Sequence, residues 1–195
     1  MNKLLLSFII VIGTSAGWAF NEYNINKEES KVSKSKSIVM TAELRDSYSN
    51  LKELKESSKL IVEGKVLSQE TIVYEELPFT ISTVEILNSI KGDLKGQIKV
   101  IETGGTFSPN SKNGKKLKET KLKLNNVDTL TNGQRVYLFL DKFNGPQLTG
   151  GYIPLGAYQG KFIIDSGKVS RMKNIENDWE ENDTFNLEEF KSKIK

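Results

Sequence analysis

The sequence predicts a single, mainly β domain, a barrel or sandwich of short strands with one α-helix before it and one after it. Between residues 60 and 172, six to eight apolar runs rich in Val, Ile, Thr and Phe are separated by Gly and Asn-Gly turn signals. On either side of them, apolar residues recur at helical spacing instead. The chain has 195 residues, and the roughly 150 to 175 beyond its N-terminal segment suit one domain with one core.

The first element is a helix over 42–57. There Leu44, Tyr48, Leu51 and Leu54 share a face, Thr41 stands as N-cap, and Glu43 and Asp46 lie near the positive end. Strands follow at Leu60 to Leu67, with Gly64 at a bulge or close approach, and at Thr71 to Tyr74. Two more are expected at Phe79 to Ile90 and at Gln97 to Thr103, the latter ending at Gly104-Gly105. Gln134 to Asp141 is apolar on both faces and is predicted to be central. After the Asn144-Gly145-Pro146 turn come Gln147 to Leu155, Ala157 to Asp165 and Lys168 to Met172. The last helix starts from Asn186 as cap with Glu189 three residues on. Phe185 and Phe190 form a hydrophobic staple, and Leu187, Phe190 and Ile194 line a docking face.

Ahead of the domain, residues 3–20 (KLLLSFIIVIGTSAGWAF) run from a lysine through an apolar stretch to small residues, the order of a secretory signal peptide. Gly17 and Ala19 flank Trp18 as the small residues of a cleavage site, so a cut after Ala19 would leave Phe20 as the mature N-terminus. The 17 residues from Leu4 to Phe20 also reach the lower limit of about 17 for a membrane-spanning helix, so an uncleaved anchor is the competing expectation. Residues 20–41, rich in Asn, Lys, Glu and Ser, are expected to form a flexible tether. The domain, residues 42–195, is thereby expected to be secreted or extracytoplasmic, touching a membrane only through residues 4–20 if these are retained.

Composition excludes more than it assigns. The chain contains no Cys and no His, which removes disulfides, thiol nucleophiles, Ser-His-Asp catalysis and thiolate or imidazole metal sites. No cofactor and no metal site is therefore expected. An exported domain without disulfides fits a bacterial envelope. The formal charge is +3, and only Arg45, Arg135 and Arg171 carry guanidinium groups, so nucleic acid is not an expected partner. Glu176, Asp178, Glu180, Glu181 and Asp183 surround Trp179 without the spacing of a Ca²⁺ loop and are read as an acidic linker.

Residues 58–66 (SKLIVEGKV), Val84-Glu85-Ile86-Leu87, Ile90-Lys91-Gly92, Ile98-Lys99-Val100 and residues 133–140 (GQRVYLFL) together look like the strand signature of bacterial secreted domains. Their order is similar to the netrin-like module of the tissue inhibitors of metalloproteinases, an OB-type barrel. The resemblance spans about residues 58–140, more loosely 58–172, and implies an OB-like closed or partly open β-barrel and a binding role. The zinc-chelating N-terminal Cys of those inhibitors has no counterpart here, so their mechanism and functional residues do not carry over.

The strongest candidate for chemistry is the run 112–123 (KNGKKLKETKLK), where Lys112, Lys115, Lys116, Lys118, Lys121 and Lys123 oppose one Glu around an Asn113-Gly114 turn signal. A projecting lysine ribbon would hold an anionic envelope polymer electrostatically; the alternative is a solvated surface loop. Gly104-Gly105 and Gly150-Gly151 lack the strand-loop-helix setting of phosphate loops and are read as turn or bulge glycines. The Ser-Lys neighbours at 30–34 lie in the expected tether, and Ser89-Ile90-Lys91 has the wrong spacing for a dyad. The expected function is a non-enzymatic exported binding domain acting on an envelope polymer or another secreted protein. The alternatives are an inhibitor or immunity-type protein acting on a protease or toxin, and an envelope hydrolase using a Ser-Lys dyad.

Overall fold

The computed structural model describes residues 36–44, 46–111, 113–173, 179 and 183–195. The expected export segment with its expected Ala19-Phe20 cleavage site, residues 20–35 of the expected tether, Lys112 and four of the five carboxylates of the expected linker lie outside the described residues.

The protein is mainly β, as predicted, with ten strands in one sheet and two helices placed toward the two ends. In chain order they are β1 (Lys36–Met40), α1 (Leu51–Ser57), β2 (Leu60–Tyr74), β3 (Leu77–Lys91), β4 (Gln97–Phe107), β5 (Thr120–Leu124), β6 (Arg135–Gly145), β7 (Leu148–Pro154), β8 (Lys161–Asp165), β9 (Lys168–Arg171), β10 (Thr184–Asn186) and α2 (Leu187–Ile194). The neighbours run β1-β5-β4-β3-β2-β6-β8-β9-β10, and β7 pairs with both β6 and β4. The β4–β7 contact is parallel, at Val100 and Tyr152, and β1 joins β5 in parallel over five residue pairs.

Strand alternation sorts the apolar residues of the central strands into two cores. On β6, Val136, Leu138 and Leu140 face an inner cluster with Val62, Val66, Val84, Ile98, Val100 and Leu130. Tyr137 and Phe139 face the other way, toward α1 and α2, with Leu51, Leu54, Phe162, Phe190 and Ile194. Both faces of β6 are buried, the property that made residues 134–141 read as central. Gly64 on β2 allows a close approach: a Cβ there would meet Val84 Cγ1 at 2.6 Å and the Glu85 carbonyl oxygen at 2.9 Å.

Several boundaries differ from expectation. The helix predicted over 42–57 is confined to Leu51–Ser57, with Asn50 rather than Thr41 as cap. Asn50 Oδ1 accepts from the Glu53 N–H at 2.8 Å, while Glu53 accepts from the Ser49 N–H at 2.8 Å, a reciprocal cap that starts the helix late. The Ser49 bonds hold the Glu53 carboxyl below the ordinary range. Upstream, Asn125 accepts from the Ala42 N–H at 2.8 Å and donates to the Ala42 carbonyl at 3.0 Å. Gln159 treats Tyr48 in the same manner, at 3.0 Å both ways. Each side-chain amide stands in for a peptide group, so Ala42 and Tyr48 have no need of a helix to satisfy these backbone groups. β1 lies within the stretch read as tether.

The two strands expected at Leu60–Leu67 and Thr71–Tyr74 form one, β2, with a register shift between Val66 and Ser68. β4 runs through Gly104-Gly105 instead of ending there. Both glycines have positive φ, and Thr80 Oγ1 occupies the space a Gly105 Cβ would need, while Thr80 Oγ1 donates to the Gly104 carbonyl at 2.9 Å. The stretch expected as a strand from Ala157 begins only at Lys161, because residues 155–160 turn on themselves through the Gly160 N–H to the Leu155 carbonyl. At the C-terminus Asn186 caps α2 through the Glu188 N–H at 3.0 Å, and the rings of Phe185 and Phe190 stack at 5.4 Å, as the staple predicted.

Candidate functional site

The lysine run divides into two parts of different character. The first is a turn: residues Asn110 and Lys116 form an antiparallel bridge, the Ser111 N–H bonds the Lys115 carbonyl at 2.8 Å, and the Gly114 N–H bonds the Ser111 carbonyl at 2.8 Å. Gly114 sits at φ +76°, which a Gly after Asn supplies without strain. The Leu117 N–H then bonds the Pro109 carbonyl at 2.8 Å, fastening the loop to the end of β4. On it Lys115, Lys116 and Lys118 are exposed with no carboxylate within salt-bridge distance among the described residues, and Leu117 between them is 49% exposed.

The second part is β5. Alternation puts Thr120, Leu122 and Leu124 into the protein and Lys121 and Lys123 on the opposite face. Both lysines reach Asp128, at 2.6 and 2.9 Å. Partial burial pushes the Asp128 carboxyl up, but the hydrogen bonds from Lys121 and Lys123 outweigh it and hold the group below its ordinary value. Of the lysines predicted to contact a polyanion, Lys115, Lys116 and Lys118 are free to do so, and Lys121 and Lys123 are committed to Asp128.

A buried charge pair that the sequence did not announce joins β4 to β8. Lys161 Nζ donates to Glu102 Oε1 at 2.6 Å and to the Asp128 carbonyl at 2.8 Å, and the Glu102 oxygens accept from the Leu130 N–H at 3.2 and 3.1 Å. Glu102 and Lys161 are buried, and together they tie β4, β8 and the segment 128–130 to one another. A second buried carboxylate, Glu63, accepts from Arg135 at 2.5 Å and from the Tyr137 hydroxyl at 3.2 Å. Burial first, and the Glu63 charge second, push the Tyr137 phenol well above its ordinary value. Arg135 also lines a shallow groove of about 510 Å³ between residues 132–135 and 163–165.

In the acidic linker, Asp183 accepts from Arg171 Nε at 2.9 Å and pairs with Lys173, and the Arg171 guanidinium lies 4.5 Å over the Trp179 ring. Among the described residues no group of three acidic side chains is arranged to hold a metal ion. Gly150-Gly151 falls inside β7, and Ser89 Oγ donates to the Gly92 carbonyl at 2.9 Å, turning the chain at that end of β3. No signal in the sequence marked Glu102, Lys161, Asn125 or Gln159: Glu102 shares its run, residues 97–103, with a second charge, Lys99.

Comparison with protein-family models, with curated proteins and with solved structures found no match.

Proposed function

We propose that this chain is an exported, non-catalytic binding domain of a bacterial cell envelope, built on an OB-type barrel, whose lysine loop holds an anionic envelope polymer. The observation that carries the reading is the loop itself. Lys115, Lys116 and Lys118 stand exposed on a backbone fixed by its own hydrogen bonds, without a carboxylate partner among the described residues. Unneutralised cations on an ordered backbone face an anionic chain with only their side chains left to order, whereas Lys121 and Lys123 already have Asp128.

Strand neighbours support the barrel: β2, β3, β4, β7 and β6 each pair with the next, and β6 pairs with β2. Counted in chain order, the third and fifth of these strands, β4 and β7, make the parallel contact, which fits the five-stranded OB arrangement. The space they surround is occupied by Val62, Val66, Val84, Val100, Leu138 and Leu140, which directs binding to the surface. The netrin-like resemblance agrees with this barrel, without the inhibitors' cysteine. The hydrolase reading gains no support: Lys161, the buried lysine among the described residues, donates to Glu102 and to a main-chain carbonyl, with no serine in its hydrogen bonds.

The test is binding of the mature protein to a polyglycerol-phosphate polymer at low and moderate salt. Binding that falls with salt and disappears in Lys115→Glu/Lys116→Glu/Lys118→Glu supports the proposal. Absence of binding at low salt, or binding indifferent to the three substitutions, contradicts it.

A further inference from the structure

Beyond Val66, β2 loses its second neighbour. Ile61 to Lys65 pair with β6 on one side and β3 on the other, and the Val66 N–H and carbonyl bond residues 134 and 133. From Leu67 to Tyr74 only β3 is paired, so one backbone edge faces outward with no partner among the described residues. At the two ends of the strand order, the edges are short: β10 has three residues and β1 five. The β2 edge has eight residues (LSQETIVY) with one charge, Glu70, and neither Lys nor Pro to blunt it, and Gln69 Nε2 donates to the Leu130 carbonyl at 2.6 Å. Val73, at its far end, is 57% exposed, and Leu67, at its near end, is also exposed.

We propose that this edge pairs, antiparallel and about a two-fold axis, with the same edge of a second copy of this chain. Centred on Thr71, the pairing sets Ser68 opposite Tyr74, Gln69 opposite Val73 and Glu70 opposite Ile72, with no like charges directly opposed. It also carries the tip of each β2–β3 hairpin to the Lys65 end of the other copy. That tip is Glu75-Glu76, both exposed and both at positive φ, 48° and 66°. Two adjacent glutamates in this conformation form a fixed negative point where Asn-Gly would be the unstrained choice. At the other end Lys65 is exposed, with no carboxylate within salt-bridge distance among the described residues, and lies in register with Arg135 on β6 and Glu85 on β3. The edge is therefore complementary to itself in charge as well as in backbone hydrogen bonding.

Sedimentation of the full chain from about 1 to about 100 µM tests this, with circular dichroism confirming that each variant keeps its strands. The expected result is a concentration-dependent dimer that Val73→Lys weakens about tenfold or more. Lys65→Glu alone and Glu75→Lys/Glu76→Lys alone each weaken it about fivefold, and combining them restores it. A monomer throughout that range, a dimer that none of these changes affects, or a combined variant no tighter than its parents overturns the proposal.

Discussion

Lys161 Nζ lies 2.6 Å from Glu102 Oε1 with both side chains withdrawn from water, 3% and 2% exposed. Such a pair is weak evidence of net stabilisation, because desolvation of two charges opposes their attraction, but removing one partner strands the other. Lys161→Met should therefore destabilise the domain by about 3 to 5 kcal/mol. Glu102→Gln combined with Lys161→Met should cost less than Lys161→Met alone, since no charge is left buried and the amide oxygen still accepts from the Leu130 N–H. Urea unfolding of the three proteins measures both differences, and a double variant less stable than the single one would refute this ordering.

The two side-chain amides that grip residues 41–50 make a separate forecast. Gln159 is fully buried and bonds both the N–H and the carbonyl of Tyr48. Gln159→Ala leaves those backbone groups unpaired and should cost about 2 to 4 kcal/mol, a sum of one or two lost buried hydrogen bonds. Asn125→Ala frees Ala42 in the same manner and removes a residue suited to φ +47°. Native-state hydrogen exchange is the sharper measurement: the Tyr48 amide should lose protection in Gln159→Ala and keep it in Asn125→Ala.

Acid should loosen the lysine-bearing strand β5. The Asp128 carboxyl titrates below its unfolded value of about 3.9 because Lys121 and Lys123 donate to it. A depressed carboxylate contributes stability that is fully present above the unfolded value and is lost as pH falls through the lower, folded one. Wild type should exceed Asp128→Asn in unfolding free energy at pH 6, with the gap closing below about pH 4. Because Asp128 is 40% exposed, the gap should be at most about 1 kcal/mol. A gap that widens in acid would be the wrong sign.

What was legible in the sequence was whatever rests on alternation and local caps. The runs at 60–67, 79–90, 97–103 and 134–141 became β2, β3, β4 and β6, and Asn186 with Phe185 and Phe190 marked α2 to the residue. The failure at 42–57 is instructive because its apolar pattern was real: Tyr48, Leu51 and Leu54 do pack together. Their burial is achieved with residues 41–44 and 46–50 non-helical, since the competing backbone partners are side chains 83 and 111 residues away in sequence, which no local pattern records. Gly104-Gly105 looked like a strand end because a glycine pair is equally at home in a turn; the deciding contact, Thr80 Oγ1 against Gly105, is made between strands. In the site, six lysines read as one basic surface, and only the position of Asp128, folded back on β5, divided them.

The measurement that bears most directly on the proposed role is the affinity of the protein for an anionic polyglycerol-phosphate chain as a function of salt. Three free lysines predict log-log salt dependence with a slope of about −2 to −3, flattening toward zero in Lys115→Glu/Lys116→Glu/Lys118→Glu and unchanged in Lys121→Gln/Lys123→Gln. Affinity that is independent of salt, or that depends on Lys121 and Lys123 and not on the loop, would contradict it.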